Sequence, residues 1–440
     1  CGYRGAIIDD SWGSPFFCAF VQVVVDYVTL DRGVLIVAGD GHFGNEIPFY
    51  PAAYENVIAV GATIEGDSLK ESSNYGDWID IFAPGENMLT LNVIGGFGTN
   101  GGTSMASPVV AACAALVKSH FPNYSVEQIR QKLLTTGDNI DQFAPDHKKE
   151  KLGAGRVNLF RALTENNTPG ISLKNTSINS TGILQSTNDT ICISGELINY
   201  LADANNVSLS ISNPNNKVTI LTNTIQVGSL NSEDTFKLST NPIKLIVNGN
   251  INFNDSVQIQ VTIHADNYTS KEFIYFNANQ DFLIIEENLL EVTLASQGTI
   301  GYSGSNGELG RGIRYKNGPS LLYEGSFAFG MSKDYLIDRF RNEQSGKDQD
   351  FKTTKGIHYL DPEKANIELR SNFTDANFAN PKGVSISQHN FFYRSNIGKQ
   401  SVIYVYTLTN NGFIELNNLY AGIFLDWDIA DYSKNRIHYD

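Results

Sequence analysis

Cysteine is scarce. The four in 440 residues (Cys1, Cys18, Cys113 and Cys192) fall at no paired or metal-like spacing, so neither a disulfide framework nor a cysteine-based zinc site is signalled. Cys113 lies in an Ala/Val-rich run and reads as a small buried hydrophobe. Positive charge is also short: 32 Lys and Arg stand against 47 Asp and Glu, with no basic run and a net charge of −15. That balance argues against a nucleic-acid partner held by phosphate neutralisation. No apolar stretch reaches the ~18–20 residues needed to span a bilayer. Hydrophobic residues are nonetheless 41% of the chain, enough for real cores, and the length predicts roughly three domains at about 150 residues each. The chain opens on Cys1 and stops at Asp440 without a tail or cap signal, and it reads as an internal piece of a longer polypeptide. Localisation is therefore not legible from a targeting segment.

Three compositional zones follow. In residues 1–165, Ala6-Ile7-Ile8, Val34-Leu35-Ile36-Val37 and Val57-Ile58-Ala59-Val60 are apolar runs bounded by Gly and Asp. Such runs mark strands covered on both faces, as in a parallel sheet. Phe16 to Leu30 between the first two is long enough for a crossover helix, which predicts an α/β unit. Thr103 to Ser119 is apolar on nearly every side and predicts a helix buried all round. Ser125 and Gln128 form a capping box for the next helix, with Val126, Ile129 and Leu133 as its buried stripe and Gly137 as its stop. Thr-Glu-Asn-Asn-Thr-Pro-Gly at 164–170 has linker composition. From 166 to 280 period-two alternation dominates, as in Val257-Gln258-Ile259-Gln260-Val261-Thr262-Ile263, and predicts an antiparallel sandwich. From 281 to 440 strands continue with Gly-rich turns at Gly298, Gly301, Gly304, Gly307, Gly310 and Gly312.

The chemistry is carried by Gly101-Gly102-Thr103-Ser104-Met105-Ala106-Ser107-Pro108, ahead of the apolar helix. A Ser behind a Gly-rich turn at a helix N-terminus can be a cap, part of a phosphate cradle, or a nucleophile. A phosphate loop wants a Lys after the glycines, and none is present. A nucleophile gains from that terminus because its open N–H groups and dipole stabilise an oxyanion beside the hydroxyl. These residues alone leave cap and nucleophile open.

From Ala6 to Leu163 the chain resembles the C-terminal part of a subtilisin-like serine peptidase domain. Gly102-Thr103-Ser104-Met105-Ala106-Ser107-Pro108 matches that family's nucleophile motif, with Ser104 as the catalytic residue. Ser11-Trp12-Gly13 matches the substrate-binding strand, and Tyr50-Pro51-Ala52 with Val57 to Ala62 the strand region after the specificity pocket. Asn74-Tyr75-Gly76 through Ile81-Phe82-Ala83-Pro84-Gly85 matches the block before the nucleophile loop, and Gly153-Ala154-Gly155-Arg156-Val157-Asn158 the closing segment. The resemblance implies a partial α/β parallel-sheet subtilisin-like domain over 1–165, then two all-β, sandwich-like domains over 166–280 and 281–440. It implies a secreted or cell-surface endopeptidase whose partners are a protein or peptide substrate and the missing N-terminal part of its own chain. Family order places the triad Asp and His upstream of Ser11, so this piece lacks both and should be inactive alone. His42 reads as a loop residue beside the oxyanion region, and His120 as a helix C-terminal residue favoured by the dipole.

Two positions depart from or refine the family pattern. Where the family usually has Asn donating to the oxyanion, Val37-Ala38-Gly39-Asp40-Gly41 puts Asp40. An ionised carboxylate cannot donate, whereas one kept protonated by burial can. A one-residue deletion near Gly39, or a simple turn at Asp40-Gly41, gives the same text. Phe49 stands where the family lines its primary specificity pocket, and a ring there predicts preference for small or medium side chains. Residues 166–440 resemble the β-rich appendages of secreted Bacteroidetes-type peptidases, through Gly298-Thr299-Ile300-Gly301-Tyr302 and Phe424-Leu425-Asp426-Trp427-Asp428. No cofactor is identified. The family often binds structural calcium, but Asp426, Asp428 and Asp431 miss the EF-hand spacing, with Ala430 at a ligand position, and no ligand set is placed.

Overall fold

The computed structural model describes residues 7–91, 95–180, 187–287, 289–304, 307, 309–316, 318–342, 346–394 and 400–427. Three of the apolar runs become parallel strands, joined by a fourth: β1 (Ile7–Asp10), β2 (Leu35–Gly39), β3 (Val57–Thr63) and β4 (Ile81–Pro84), in the order β1-β2-β3-β4. Successive side chains alternate between the two faces, as strand geometry requires. Leu35, Val37, Ile58, Val60, Ile81 and Ala83 pack on one side with the long helix α2 (Thr103–His120), while Ile36, Ala38, Val57, Ala59 and Phe82 face the other. That double cover is why these strands read as unbroken apolar runs.

The crossover between β1 and β2 is a helix, α1 (Ala19–Asp26), which loosens into a single π-helical stretch, Tyr27–Asp31. A two-stranded hairpin, β5 (Met88–Leu91) and β6 (Phe97–Asn100), leads into α2. The helix α3 (Val126–Thr135) starts at the complete Ser125/Gln128 capping box and buries Ile129 and Leu133, and α4 (Leu159–Thr164) follows.

One expectation fails. α2 is not buried all round: Ala106, Val110, Cys113, Ala114 and Val117 form its buried stripe, whereas Ala112, Ala115 and Leu116 are exposed. Alanine favours the helix wherever it sits, so an Ala/Val-rich run does not by itself report burial on every side.

Beyond residue 170 all sheets are antiparallel. One holds Ile171–Ser180, Thr190–Asn199, Val218–Ile220, Thr235–Lys237 and Ile243–Val247. A second holds Ala204–Ser212, Thr224–Leu230, Asp255–Ala265 and Tyr268–Ala278, and a single apolar cluster draws on both. Between Phe282 and Trp427 the largest sheet is four-stranded, made of Lys352–Leu360, Ile367–Thr374, Val384–Phe392 and Val402–Asn410, with two apolar clusters of its own. No helix among the described residues is long and apolar enough to cross a membrane.

Candidate active site

The site is built where the ends of β2 and β4 meet the start of α2. Gly102 fixes the entry to the helix. Its φ of 128° lies in the glycine region, and a Cβ there would sit 2.8 Å from Cε1 of His42. Its N–H donates to the Gly85 carbonyl at 2.7 Å, tying the turn to the end of β4. Ser104 follows as the second residue of α2 and is half-buried. Its hydroxyl makes no hydrogen bond among the described residues. Gly102 N-caps the helix without a side chain, so Ser104 is not the cap. The first N–H groups of any helix lack intrahelical partners, so the Thr103 and Ser104 N–H groups and the dipole of an 18-residue helix surround the free hydroxyl.

Pro108 lies in the same helix and has no N–H, so the Ser104 carbonyl loses its usual donor four residues on. The Ser11 hydroxyl fills that gap: it donates to Ser104 O at 3.2 Å and lies 3.2 Å from Ser107 Oγ. Ser11 thereby pins the nucleophile turn to the end of β1. The expected consequence is that Ser11→Ala lowers stability by about 0.5–1 kcal/mol, the net worth of one solvent-accessible hydrogen bond. Pro108→Ala, which returns the helical N–H, should recover much of that loss, so a urea-unfolding double-mutant cycle will be non-additive. Additive effects would show that the two residues are not linked through the Ser104 carbonyl.

Residues 11–13 lie just past the last ladder pair of β1, Asp10 with Ala38. Trp12 is 64% exposed. Gly13 is required by close approach: a Cβ would meet Phe49 Cε1 and the Tyr50 carbonyl, each at 2.4 Å. Ser14 and Tyr50 exchange two backbone hydrogen bonds of 2.8 Å, which lock this segment to residues 49–50. The Phe49 ring lies between Gly13 and Gly41 and meets Phe43 edge-on at 5.8 Å. Ser11 thus touches the Ser104 turn, and Gly13 touches Phe49.

Asp40 does not join them through its side chain. Its carboxyl is wholly buried and accepts from Ser73 Oγ at 3.0 Å, while Asn74 Nδ2 donates to its carbonyl at 2.6 Å. The second carboxyl oxygen has no partner among the described residues. Burial, only partly opposed by the Ser73 and Asn74 bonds and by Lys148, holds this carboxyl well above the usual range. The side chain at position 40 is thus turned into the interior, where it meets Ser73.

His42 is the residue that does meet the turn, with its ring over Gly102; burial and then Lys70 push its pKa down. His120 ends α2, and His147 lies edge-on to Tyr75 at 5.9 Å. Of the three acids weighed as calcium ligands, Asp426 is exposed on the last strand, and Asp428 and Asp431 lie outside the described residues. A different trio, Asp338, Asp348 and Asp350, brings its carboxylate oxygens within 4.8 Å of one another. Burial, with the neighbouring acids, pushes Asp350 up to about 6. Alternation in a β-rich sequence gives no sign of that convergence.

Residues 4–155 match the Subtilase family. The match covers about a third of the chain. A thermophilic serine proteinase of Bacillus sp. (strain AK1) is 38% identical over 158 residues, 36% of this chain and 37% of that protein. Subtilisin BL of Lederbergia lenta is 42% identical over 130 residues, covering 30% of this chain and 48% of it. The chain therefore spans less than half the length of these relatives. A solved structure of a prenylagaramide maturation protease aligns at 26% identity over 36% of this chain and 60% of that one, with a TM-score of 0.34. The free hydroxyl of the subtilase segment, Ser104, sits in the motif that carries its resemblance to serine peptidases.

Proposed function

We propose that the protein is a serine endopeptidase that hydrolyses peptide bonds through an acyl-enzyme on Ser104. The observation that carries the reading is the unengaged Ser104 hydroxyl at the mouth of α2, fronted by residues 11–13 and by Phe49. In this mechanism Ser104 Oγ bonds to the substrate carbonyl carbon and a general base takes its proton. The oxyanion forms against the Ser104 N–H, and the amine then leaves with the base's proton. Water releases the acyl group. Extended substrate adds along residues 11–13 by strand addition. Phe49 shortens the primary pocket and favours small or medium side chains before the scissile bond.

The base and its orienting Asp come from polypeptide outside the 440 residues, so the chain alone is inactive. Supporting this, apolar surface lies uncovered around the open edge of the parallel sheet, at Ile8 on β1, at Val23 and Val24 on α1, and at Leu116 on α2. Parallel sheets are ordinarily covered on both faces, and exposed apolar patches of this kind mark contact surfaces. The two units beyond residue 170 are sandwich-like appendages, and the intact protein is secreted or displayed at the cell surface. The buried Asp40, standing where the family usually places a donor, favours a second reading: a subtilase scaffold kept for binding or adhesion without catalysis. Fluorophosphonate labelling of the intact protein separates the two. Labelling that disappears in Ser104→Ala supports the enzyme, and an unlabelled intact wild type supports the scaffold. In a peptide panel, equal cleavage after large aromatics and after Ala or Leu would refute the role given to Phe49.

A further inference from the structure

A cavity of about 770 Å³ opens beside the nucleophile turn, between residues 42–44, 70–72 and the short helical turn Asp146–Lys148. It reaches the candidate active site through His42, which lines it and whose ring covers Gly102, two residues before Ser104. Its lining holds two lysines, Lys70 and Lys148, and one acid, Glu71. Lys70 is paired with Glu86. Lys148 is only 8% exposed, and its ammonium has no hydrogen bond or ion pair among the described residues. That ammonium rests over the Tyr75 ring, 4.5 Å from the centroid, and opens into the cavity. The acids whose charge acts on it are Glu71, in the lining, and the wholly buried Asp40, whose carboxyl burial pushes well above its usual range. A buried ammonium costs folding free energy unless it is paired, so a lysine of this kind points to an anion that completes the site.

We propose that this cavity is a subsite for a carboxylate, with Lys148 as its principal ligand and His42 and His147 on its walls. One amine, with Glu71 close by, matches a monoanion better than a phosphate dianion. On the endopeptidase reading, on which this assignment of source rests, the carboxylate is an acidic side chain of a bound peptide placed near the scissile bond. A small free carboxylic acid offers the same chemistry.

The test reads binding to the 440-residue protein at pH 7, not turnover. Two acetylated, amidated tetrapeptides, Ala-Ala-Glu-Ala and Ala-Ala-Gln-Ala, are titrated by calorimetry, and propionate is titrated against the His42 and His147 ring resonances. The Glu peptide should bind about tenfold more tightly than the Gln peptide, the scale of one hydrogen bond to a charged group. In Lys148→Met that advantage should fall below about twofold, because the variant keeps the apolar stem and loses the charge. Propionate should shift both imidazoles in the wild type and neither in Lys148→Met. A propionate response without Glu/Gln discrimination keeps the carboxylate site and assigns it to a free acid. Absence of both responses in the wild type, or their persistence in Lys148→Met, overturns the proposal. If Lys148→Met does not fold, Glu71→Gln serves instead: removing the competing acid should strengthen Glu-peptide and propionate binding, and no change would overturn the proposal. Failure of fluorophosphonate to label Ser104 would refute the endopeptidase reading and leave these binding outcomes as they stand.

Discussion

On the endopeptidase reading, Ser104→Ala in the intact protein is expected to lower peptide-hydrolysis kcat by on the order of 10⁶-fold with little change in KM, the scale known for the nucleophile of subtilisin. The substitution removes one oxygen atom. It leaves the Gly102 turn, the open N–H groups and the Ser11 bond to the residue-104 carbonyl in place, since that bond uses main chain. Because Ser104 Oγ bonds to nothing among the described residues, its loss should also leave stability unchanged within ~0.5 kcal/mol, the usual range for a change that disturbs no packing or network. The pairing of a very large kinetic loss with an unmoved urea midpoint is the signature of a nucleophile rather than a structural serine. Residual hydrolysis of ~10³–10⁴ over water should survive, supplied by binding and the N–H groups. A Ser104→Ala protein that keeps more than a tenth of wild-type kcat, or that unfolds at markedly lower urea, would sink the assignment.

What is legible without a structure depends on how far apart in sequence the cooperating residues lie. The nucleophile turn is contiguous: Gly102, Thr103 and Ser104 specify the bend, the first helical turn and the hydroxyl within three residues, so the sequence alone locates it. The parallel strands are legible for the same reason, since each apolar run carries its own double cover. The orientation of Asp40 is not, because it is decided by Ser73 and Asn74, which arrive from another loop and turn the carboxyl inward. Ser11 reads as substrate-binding strand, while its hydroxyl answers a carbonyl freed by Pro108, 97 residues away. Both residues are visible in the sequence; their complementarity exists only in three dimensions. The exposed stripe of α2 is hidden by composition, because alanine satisfies a helix equally on a buried or an uncovered side.

The junction between the matched segment and the β-rich remainder should be electrostatically sensitive. Arg130 on α3 donates to Asp80 at 2.6 Å and lies 3.8 Å from Glu127. Lys174, on the first strand of the next unit, reaches the same Glu127 at 3.4 Å, and Glu272 from that unit also acts on Arg130. These side chains are largely buried. Burial alone would raise Glu127, but Arg130 and Lys174 outweigh it and its pKa is net lowered. Arg130→Met keeps the stem and deletes the charge, leaving Asp80 and Glu127 without their main partner. The expected loss is about 1–3 kcal/mol at pH 7, short of the cost of a wholly uncompensated buried charge, because Lys174 still pairs with Glu127 and the Ala59 N–H still donates to Asp80. The pH dependence fixes the sign. A carboxyl whose folded pKa is depressed contributes stability above its unfolded pKa and loses it as pH falls through the folded value. The wild type should therefore lose the Glu127 contribution on acidification, and the gap between it and Arg130→Met should narrow below about pH 4 as the carboxylates protonate. Urea unfolding at about pH 7 and about pH 3.5 reads both effects, the lower value lying below the ordinary glutamate range. A gap that stays constant, or widens, in acid would mean that Arg130 stabilises the junction by packing rather than by charge.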